Sequence, residues 1–519
     1  MQSYKILWAD DEIDLLKPHT LFLENKGYQV ITVNSGADAL DAVEQDQFDV
    51  IFLDENMPGM TGLETLEKIK EIRPSLPVIM ITKSEEEMIM EQAIGAKISD
   101  YLIKPLNPNQ ILLSVKKILD NKRLVSAKTN QSYQQDFRNI SMAFSDDMSH
   151  EEWVDIYRKL VYWELKIDET EDKSMSEVLN MQKEEANANF ARFIDDHYHD
   201  WLTDPESNKP VLSHQLMNKK VFPLLEEGET LFFIIIDNLR YDQWKILEPI
   251  ITDYFNVVQE QAYFSILPTT TAFARNAIFS GQMPSEMAKK HPDLWVNDTE
   301  EEGKNNAEYQ YLQHQLKRRK LDIKTSYHKI VHTQQGKQLI DNLQNLLHNP
   351  LNAVVYNFVD MLSHARTDLQ MIRDLAPDEA AYRSITRSWF LHSPLLDMLK
   401  KLSSLGIRVV LTTDHGTIRV QKPVKIIGDR NTNTNLRYKQ GKNLNCSSNK
   451  VFTMNDPVAY QLPKTNVSTT YAFATQDSFF AYPNNYNYYV KYYRDTFQHG
   501  GISLEEVIVP FVVLQPKSS

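Results

Sequence analysis

Short, mostly apolar runs that stop at a carboxylate, a hydroxyl or a histidine constrain this chain more than any other feature. In the first 120 residues Tyr4-Lys5-Ile6-Leu7-Trp8, Val50-Ile51-Phe52-Leu53, Val78-Ile79-Met80-Ile81 and Tyr101-Leu102-Ile103 read as strands, separated by amphipathic segments. Runs of that length suit a parallel sheet covered by helices on both faces. Residues 1–120 are therefore expected to form a small doubly wound, flavodoxin-like α/β domain. From 121 to 205 the strand signals stop, glycine is absent, and Trp153, Tyr157, Leu160, Trp163 and Leu165 recur at near-helical spacing. That pattern predicts a helical bundle serving as spacer or dimerising element. From 206 to 519 strand signals return at Thr230 to Ile236, Ala353 to Phe358, Val409 to Thr412 and Val507 to Val513, which predicts a second, larger α/β domain. Residues 428–495, rich in Asn, Tyr, Lys and Arg, read as an insertion over the sheet edge.

Composition narrows the function classes. A chain of 519 residues exceeds a single core. Its one cysteine, Cys446, cannot form an internal disulfide. The start MQSYKILWADDE has no basic segment followed by an apolar one, and both points lead to an expected cytoplasmic location. The longest apolar runs, such as Leu231 to Ile236, fall far short of the ~20 residues of a membrane-spanning helix, so no membrane insertion is expected. A net charge of -14, with no helix-turn-helix signature, argues against sequence-specific DNA binding.

Asp10, Asp11 and Glu12 follow the first strand directly, and Asp54 ends the third. Ligands of a parallel sheet bind outside the carboxyl ends of its strands, so these carboxylates should converge there. Such a cluster repels itself unless a cation sits in it, and Mg²⁺ suits hard oxygen ligands. Thr82 and Lys104-Pro105 close the next two strands, where a hydroxyl and a lysine can meet the oxygens of a phosphoryl group on Asp54. Each residue taken singly is an ordinary loop polar group, but all at the right strand ends are not. The stretches WADDE, LDENMPGMTG, ITKSE and DYLIKPL resemble the receiver domains of two-component response regulators. The resemblance implies Asp54 as phosphoacceptor and Mg²⁺ at Asp11 and Asp54, with Asp10 nearby and the Asn56 carbonyl contributing. It also implies Thr82 and Tyr101 as switch residues, Lys104 as phosphoryl clamp, and a cis Lys104-Pro105 bond.

The C-terminal part carries Asp237 after LFFIII, Asp360 and His364 four residues apart, Asp414-His415 after VVLTT, and His499 in QHGG. Asp360 and His364 can face one metal from a single helical turn. Asp414 and His415 can both do so only if the strand has broken before them, which Gly416 permits. Three aspartates with three histidines suit a two-metal phosphoester site, and imidazole favours zinc. Thr271 in LPTTTA is the candidate nucleophile, because coordination lowers a hydroxyl's pKa. The same threonines would also serve as a plain helix cap.

DNLRYDQW, LPTTTAFAR, FVDMLSH, TTDHG and QHGGISLEEVIVP occur in the order seen in PglZ domains of the alkaline-phosphatase superfamily, which this region resembles. Position by position, the resemblance implies one Zn²⁺ at Asp237, Thr271, Asp414 and His415, and a second at Asp360, His364 and His499. Thr271 would attack phosphorus, and a threonine nucleophile points to diesters such as nucleotide derivatives. Arg275, Arg430, Arg437 and Lys439, with nearby tyrosines, are expected to hold such a substrate. The order receiver, helices, PglZ resembles response regulators associated with type IX secretion. That implies a sensor histidine kinase, homodimerisation on phosphorylation, and an output through an extracytoplasmic-function sigma factor. The competing reading is a phosphorylation-switched scaffold with hydrolysis secondary.

Overall fold

The computed structural model describes residues 4–83, 98–144, 147–169, 174–225, 228–297, 303, 305–368, 373, 375–429, 432–446 and 450–517, with the backbone alone at 120–128, 130–131, 366 and 368. The chain divides into two compact units, Met1–Tyr133 and Gln134–Ser519.

In the first unit strands β1 (Lys5–Ala9), β2 (Gln29–Val33), β3 (Val50–Asp54), β4 (Val78–Thr82) and β5 (Asp100–Ile103) form one sheet in the order β2-β1-β3-β4-β5. All its pairings are parallel. Side chains alternate between faces along a strand, and the core splits accordingly. Leu7, Ala9, Ile51 and Leu53 pack with Ala39, Val43, Leu66 and Ile69 of helices Gly36–Gln45 and Gly62–Ile72. Ile6, Trp8, Val50 and Phe52 pack on the other face with Leu23, Ile111 and Val115. This is the doubly wound fold read from the sequence. The strand that reading did not delimit, β2 (QVITV), lies at the sheet edge, is only half covered, and has Thr32 interrupting its apolar residues.

The second unit is built on a six-stranded sheet. Its strands are β6 (Leu231–Ile236), β7 (Phe255–Phe264), β8 (Thr325–Ile330), β9 (Leu351–Tyr356), β10 (Arg408–Thr412) and β18 (Ile508–Pro516), ordered β7-β18-β10-β6-β9-β8. The pairs among β10, β6, β9 and β8 are parallel, and β18 runs antiparallel to β10 and β7. The central strands β6 and β9 are buried at every position. Between β10 and β18 the chain forms three small sheets: β11 (Ile418–Arg419) with β17 (Phe497–Gln498), β12 (Lys422–Lys425) with β16 (Ser478–Ala481), and β13 (Tyr438–Lys442) with β15 (Thr469–Ala474) and β14 (Val451–Met454). They enclose a small core of Val424, Ile426, Ala472, Ala474 and Phe480. The sequence reading saw no strands there, because segments such as YKQGK carry no apolar alternation.

The helical stretch comprises Pro108–Ala143, His150–Asp168 and Ser174–Thr203. Helix His150–Asp168 opens with a Ser149/Glu152 capping box and buries Trp153, Tyr157, Leu160 and Trp163. It is no free spacer. Phe190 and Trp201 pack edge-on against Phe264 of β7, and the Arg158 guanidinium donates to the Glu260 carbonyl at 3.3 Å. The helices thus cover an edge strand that would otherwise be open. Among the described residues no helix is long and apolar enough to cross a membrane.

Candidate functional site

In the first unit the sheet order reverses direction at β1 and β3, and the residues following both strands meet in the crevice where such folds bind ligands. Lys104 Nζ lies 2.9 Å from Asp10 Oδ2 and 2.7 Å from Asp54 Oδ1, and both carboxylates are fully buried. Burial pushes the Asp54 carboxyl up; the Lys104 bond opposes this and the Asp10 charge adds to it. Burial works against the Lys104 charge, but its bonds to Asp54 and Asp10 raise it overall. Asp10, Asp11 and Glu12 bring carboxylate oxygens within 4.8 Å of one another. The Asn56 backbone N–H donates to Asp54 Oδ2 at 2.9 Å. Thr82 is buried at the end of β4, Tyr101 is 38% exposed on β5, and Lys104-Pro105 is cis. The structure therefore brings Asp10, Asp11, Asp54 and Lys104 into one acidic crevice.

In the second unit the candidate residues also gather at strand carboxyl ends. Asp237 follows β6. Strand β10 stops at Thr412, so Asp414 and His415 lie in the loop beyond, as joint metal binding requires. A side chain at Gly416 would meet the Glu505 carbonyl at 1.9 Å, so only glycine lets the loop pass there. Strand β9 ends at Tyr356, two residues earlier than expected, and Asp360 and His364 sit one turn apart on helix Phe358–Asp368. Thr271 is the first residue of helix Thr271–Ser280, whose N-terminus favours negative charge. Thr270, at the cap position, makes no side-chain cap bond. The reading of these threonines as a mere cap is thereby weakened.

The ligand atoms fall into two groups, Asp237, Asp414 and His415 in one and Asp360, His364 and His499 in the other, each within 4.8 Å. In the first, Thr271 Oγ1 donates to Asp237 Oδ1 at 3.2 Å and lies 3.1 Å from His415 Nε2. His415 Nε2 is 3.7 Å from Asp414 Oδ2. In the second, His364 Nε2 and His499 Nε2 each lie 3.5 Å from an Asp360 oxygen. The groups adjoin, since the His415 and His499 rings stack at 4.3 Å. Tetrahedral ligation with bonds of about 2.0–2.1 Å separates ligand atoms by about 3.3 Å, so the observed spacings suit a cation in each group. Charge agrees with spacing. Burial, reinforced by Asp237, pushes the Asp414 carboxyl up to about 8, and Asp414 Oδ2 has no hydrogen-bond partner among the described residues. Burial also raises Asp237, though Arg275 opposes it. Burial and His499 hold His415 well below the usual imidazole range. Buried carboxylates with an orphaned oxygen, beside an imidazole kept neutral, form a donor set that a divalent cation would satisfy.

Some of this architecture gave no signal in the sequence. Asn238, at φ 63, donates its backbone N–H to Asp414 Oδ1 and its side-chain amide to Asp360 Oδ1, both at 3.3 Å, and so ties the two groups together. An Asn directly after a strand-terminal Asp was the available hint, since Asn tolerates the left-handed region. Glu308, from a helix that carried no motif, accepts from Arg275 Nε at 2.6 Å. The loops also bond one another: Thr269 Oγ1 donates to the Gly501 carbonyl at 2.9 Å and accepts from the Gly500 N–H at 3.1 Å.

Three of the four substrate-binding cations expected from the sequence are buried against the protein's own groups. Arg275 is fully buried and donates to Asp237 Oδ2 at 2.6 Å as well as to Glu308, so it orients a candidate metal ligand. Arg437 is enclosed between Glu506, 2.6 Å away, and the Ser478 carbonyl. Lys439 is buried, donates to the Asn433 carbonyl at 2.9 Å and lies over the Tyr482 ring. Nearness in sequence to the motifs did not place these chains at the surface. Arg430 lies outside the described residues.

Comparison with known proteins agrees with this arrangement. Residues 216–514 match the BREX system PglZ alkaline phosphatase-like domain, 123–202 the PorX response regulator linker domain, and 6–116 the response regulator receiver domain. Among curated relatives, the transcriptional regulatory protein ResD of Bacillus subtilis is 34% identical over 115 residues, 22% of this chain and 48% of its own length. The regulatory protein ZraR of Klebsiella oxytoca is 33% identical over 131 residues, 25% of this chain and 30% of its own length. The chain thus spans less than half the length of these relatives. A CheY-like receiver domain from Methanospirillum hungatei is 30% identical, covering 23% of this chain and 96% of that one, with a TM-score of 0.23. Receiver domains work with histidine kinases, and the C-terminal part falls in a phosphoesterase superfamily. With more than half of its length matched by that domain, the chain belongs to the PglZ family, and carries a response-regulator receiver and a PorX-type linker ahead of its alkaline phosphatase-like domain.

Proposed function

We propose that this response regulator is a two-cation phosphodiesterase whose nucleophile is Thr271 and whose activity is governed by phosphorylation of Asp54. The observation that carries the reading is the position of Thr271 Oγ1, at a helix N-terminus and within 3.2 Å of both Asp237 and His415, beside the Asp360–His364–His499 group. Asp237, Asp414 and His415, with Thr271, would hold one zinc ion and Asp360, His364 and His499 the other; bound there, the pair supplies Lewis-acid stabilisation of phosphoryl oxygens.

The chain's own residues would do the rest. The Thr271 hydroxyl donates toward Asp237 Oδ1, which aims an oxygen lone pair outward. Its helix N-terminus favours the charge that builds on the phosphoryl oxygens. The Thr271 Oγ–phosphorus bond forms as the bond to the leaving alcohol breaks, and the alcohol departs with a proton. Water then cleaves the phosphothreonine, which restores the hydroxyl and releases a monoester. A diester is favoured because Arg275, committed to Asp237 and Glu308, is withdrawn from matching the second charge of a monoester. A nucleotide-type diester is the expected class. A sensor histidine kinase would phosphorylate Asp54, with Mg²⁺ held by Asp11, Asp54 and the Asn56 carbonyl beside Asp10. Thr82 and Tyr101 would then respond, Lys104 would clamp the phosphoryl group, and homodimers would form. Type IX secretion, through a sigma factor, is the proposed output.

The test is turnover of bis(4-nitrophenyl) phosphate and 4-nitrophenyl phosphate by zinc-loaded wild type and Thr271→Val. The diester should be cleaved faster, and the variant should lose at least about 10³-fold. No turnover of either ester would leave the phosphorylation-switched scaffold instead.

A further inference from the structure

Helices His150–Asp168 and Ser174–Thr203 bond to segments that carry residues of the candidate site. Tyr198, buried on helix Ser174–Thr203, presents its hydroxyl oxygen to the Leu267 N–H at 3.0 Å, four residues before Thr271. Asn187, about three turns earlier on the same face of that helix, accepts from the Leu504 N–H at 2.8 Å and donates to Glu505 Oε2 at 3.1 Å. The adjoining Glu506 accepts from the Gly501 N–H at 2.9 Å through its side chain, and from the Gly416 N–H at 3.2 Å through its carbonyl. Gly501 lies two residues after His499, and Gly416 directly follows His415. On the β6 side, Glu164 and Asp168 hold Arg383 at 2.8 and 2.5 Å. Arg383 bonds Asp242, which in turn bonds Arg240, two residues beyond Asn238.

We propose that these linker helices are part of the catalytic apparatus, with Tyr198 and Asn187 as positioning residues for the Thr271 loop and the His499–Glu506 segment. The chemical consequence of these contacts rests on the hydrolase reading above; their geometry rests on hydrogen bonds alone. Loops that carry reacting groups are held by their scaffold. The acceptors of two buried loop amides come here from a segment outside the sheet domain's own chain range. A misplacement of about 1 Å costs on the order of 10²-fold in rate, so the nucleophile depends on where that helix sits. A pocket of about 430 Å³ beside these contacts is lined by Leu179, Lys183 and Asn187 of the helix and by Arg383, Gln476 and Glu505. A shift of the helix would reach Thr271 through Tyr198. The linker is a route by which a change upstream in the chain sets the geometry of the site.

The experiment uses the full-length chain as wild type, Tyr198→Phe, Asn187→Ala and a surface control on the same helix, Glu185→Ala. Amide hydrogen exchange at Leu267 and Leu504 is followed beside kcat and KM for bis(4-nitrophenyl) phosphate. Tyr198→Phe should speed exchange at Leu267, and Asn187→Ala at Leu504, with exchange elsewhere unchanged. Each should lower kcat by about 10–100-fold with KM within about twofold, while the control matches wild type. Unchanged local exchange, or exchange raised throughout Gln134–Ser519 in proportion to lost activity, would overturn the proposal. If wild type hydrolyses nothing, the hydrolase reading fails separately, and the site-specific exchange still decides whether the helix positions the loops.

Discussion

Replacing Arg275 by methionine tests the electrostatic core of the site. The guanidinium is buried between Asp237 Oδ2 and Glu308 Oε1, each at 2.6 Å, with Asp414 Oδ2 at 3.7 Å, and all of these groups are at most 1% exposed. Methionine fills much of the volume but leaves the carboxylates uncompensated. Removing one partner of a buried ion pair costs roughly 3–5 kcal/mol, and that is the expected loss in the metal-free chain. With zinc present, positive charge beside Asp237 and Asp414 replaces part of what was removed, and Tyr327 still donates to Glu308. The loss should then fall to roughly half. Equilibrium urea unfolding followed by tryptophan fluorescence reports the right region, because six of the seven tryptophans lie beyond residue 134. Arg275→Lys should recover only part of the loss, since an ammonium cannot reproduce the two-pronged contact. A variant of unchanged metal-free stability but much raised KM would instead place Arg275 at the substrate.

Other expectations follow from separate parts of the structure. Burial pushes His214 down to about 4. Its folded value thus lies below the unfolded ~6.5, so stability is lost as pH falls from about 6.5 to 4, by roughly 2–3 kcal/mol; His214→Gln should flatten that limb of the urea midpoint against pH. Asn238→Ala places an alanine at φ 63 and removes the amide that bridges to Asp360, so zinc affinity, measured with a competing chelator, should fall by about tenfold or more at roughly 1–2 kcal/mol of strain. In the receiver, Asp54→Asn should abolish uptake of a phosphoryl group from acetyl phosphate on a phosphate-affinity gel. Lys104→Ala, which removes the cation 2.7 Å from Asp54, should leave uptake and lose the change in mass on light scattering.

What was legible in the sequence follows burial. Strands β3, β6 and β10 lie inside their sheets and read as apolar runs, and the groups placed at their carboxyl ends do meet. Strands β2, β7 and β8 are sheet edges; covered on fewer sides, they mix polar and apolar residues and left no run to see. The division of the zinc candidates into two groups came with the resemblance to PglZ domains, and the distances group the same residues. Arg275 shows the limit of nearness in sequence. Four residues after Thr271 on one helix, it points from the same face into the protein, where Glu308 from a distant helix meets it. The contacts of Tyr198 and Asn187 were illegible for the same reason, since each joins residues 69 and 317 positions apart.

Whether the two residue groups hold two cations is decided by zinc stoichiometry of the full-length chain in equilibrium dialysis, with Asp414→Asn and His499→Ala beside wild type. Two cation sites require about two ions per wild-type chain and about one in each variant, lost from different groups, so that the double variant binds none. Stoichiometry near zero for wild type, or unaltered by either substitution, would contradict two such sites.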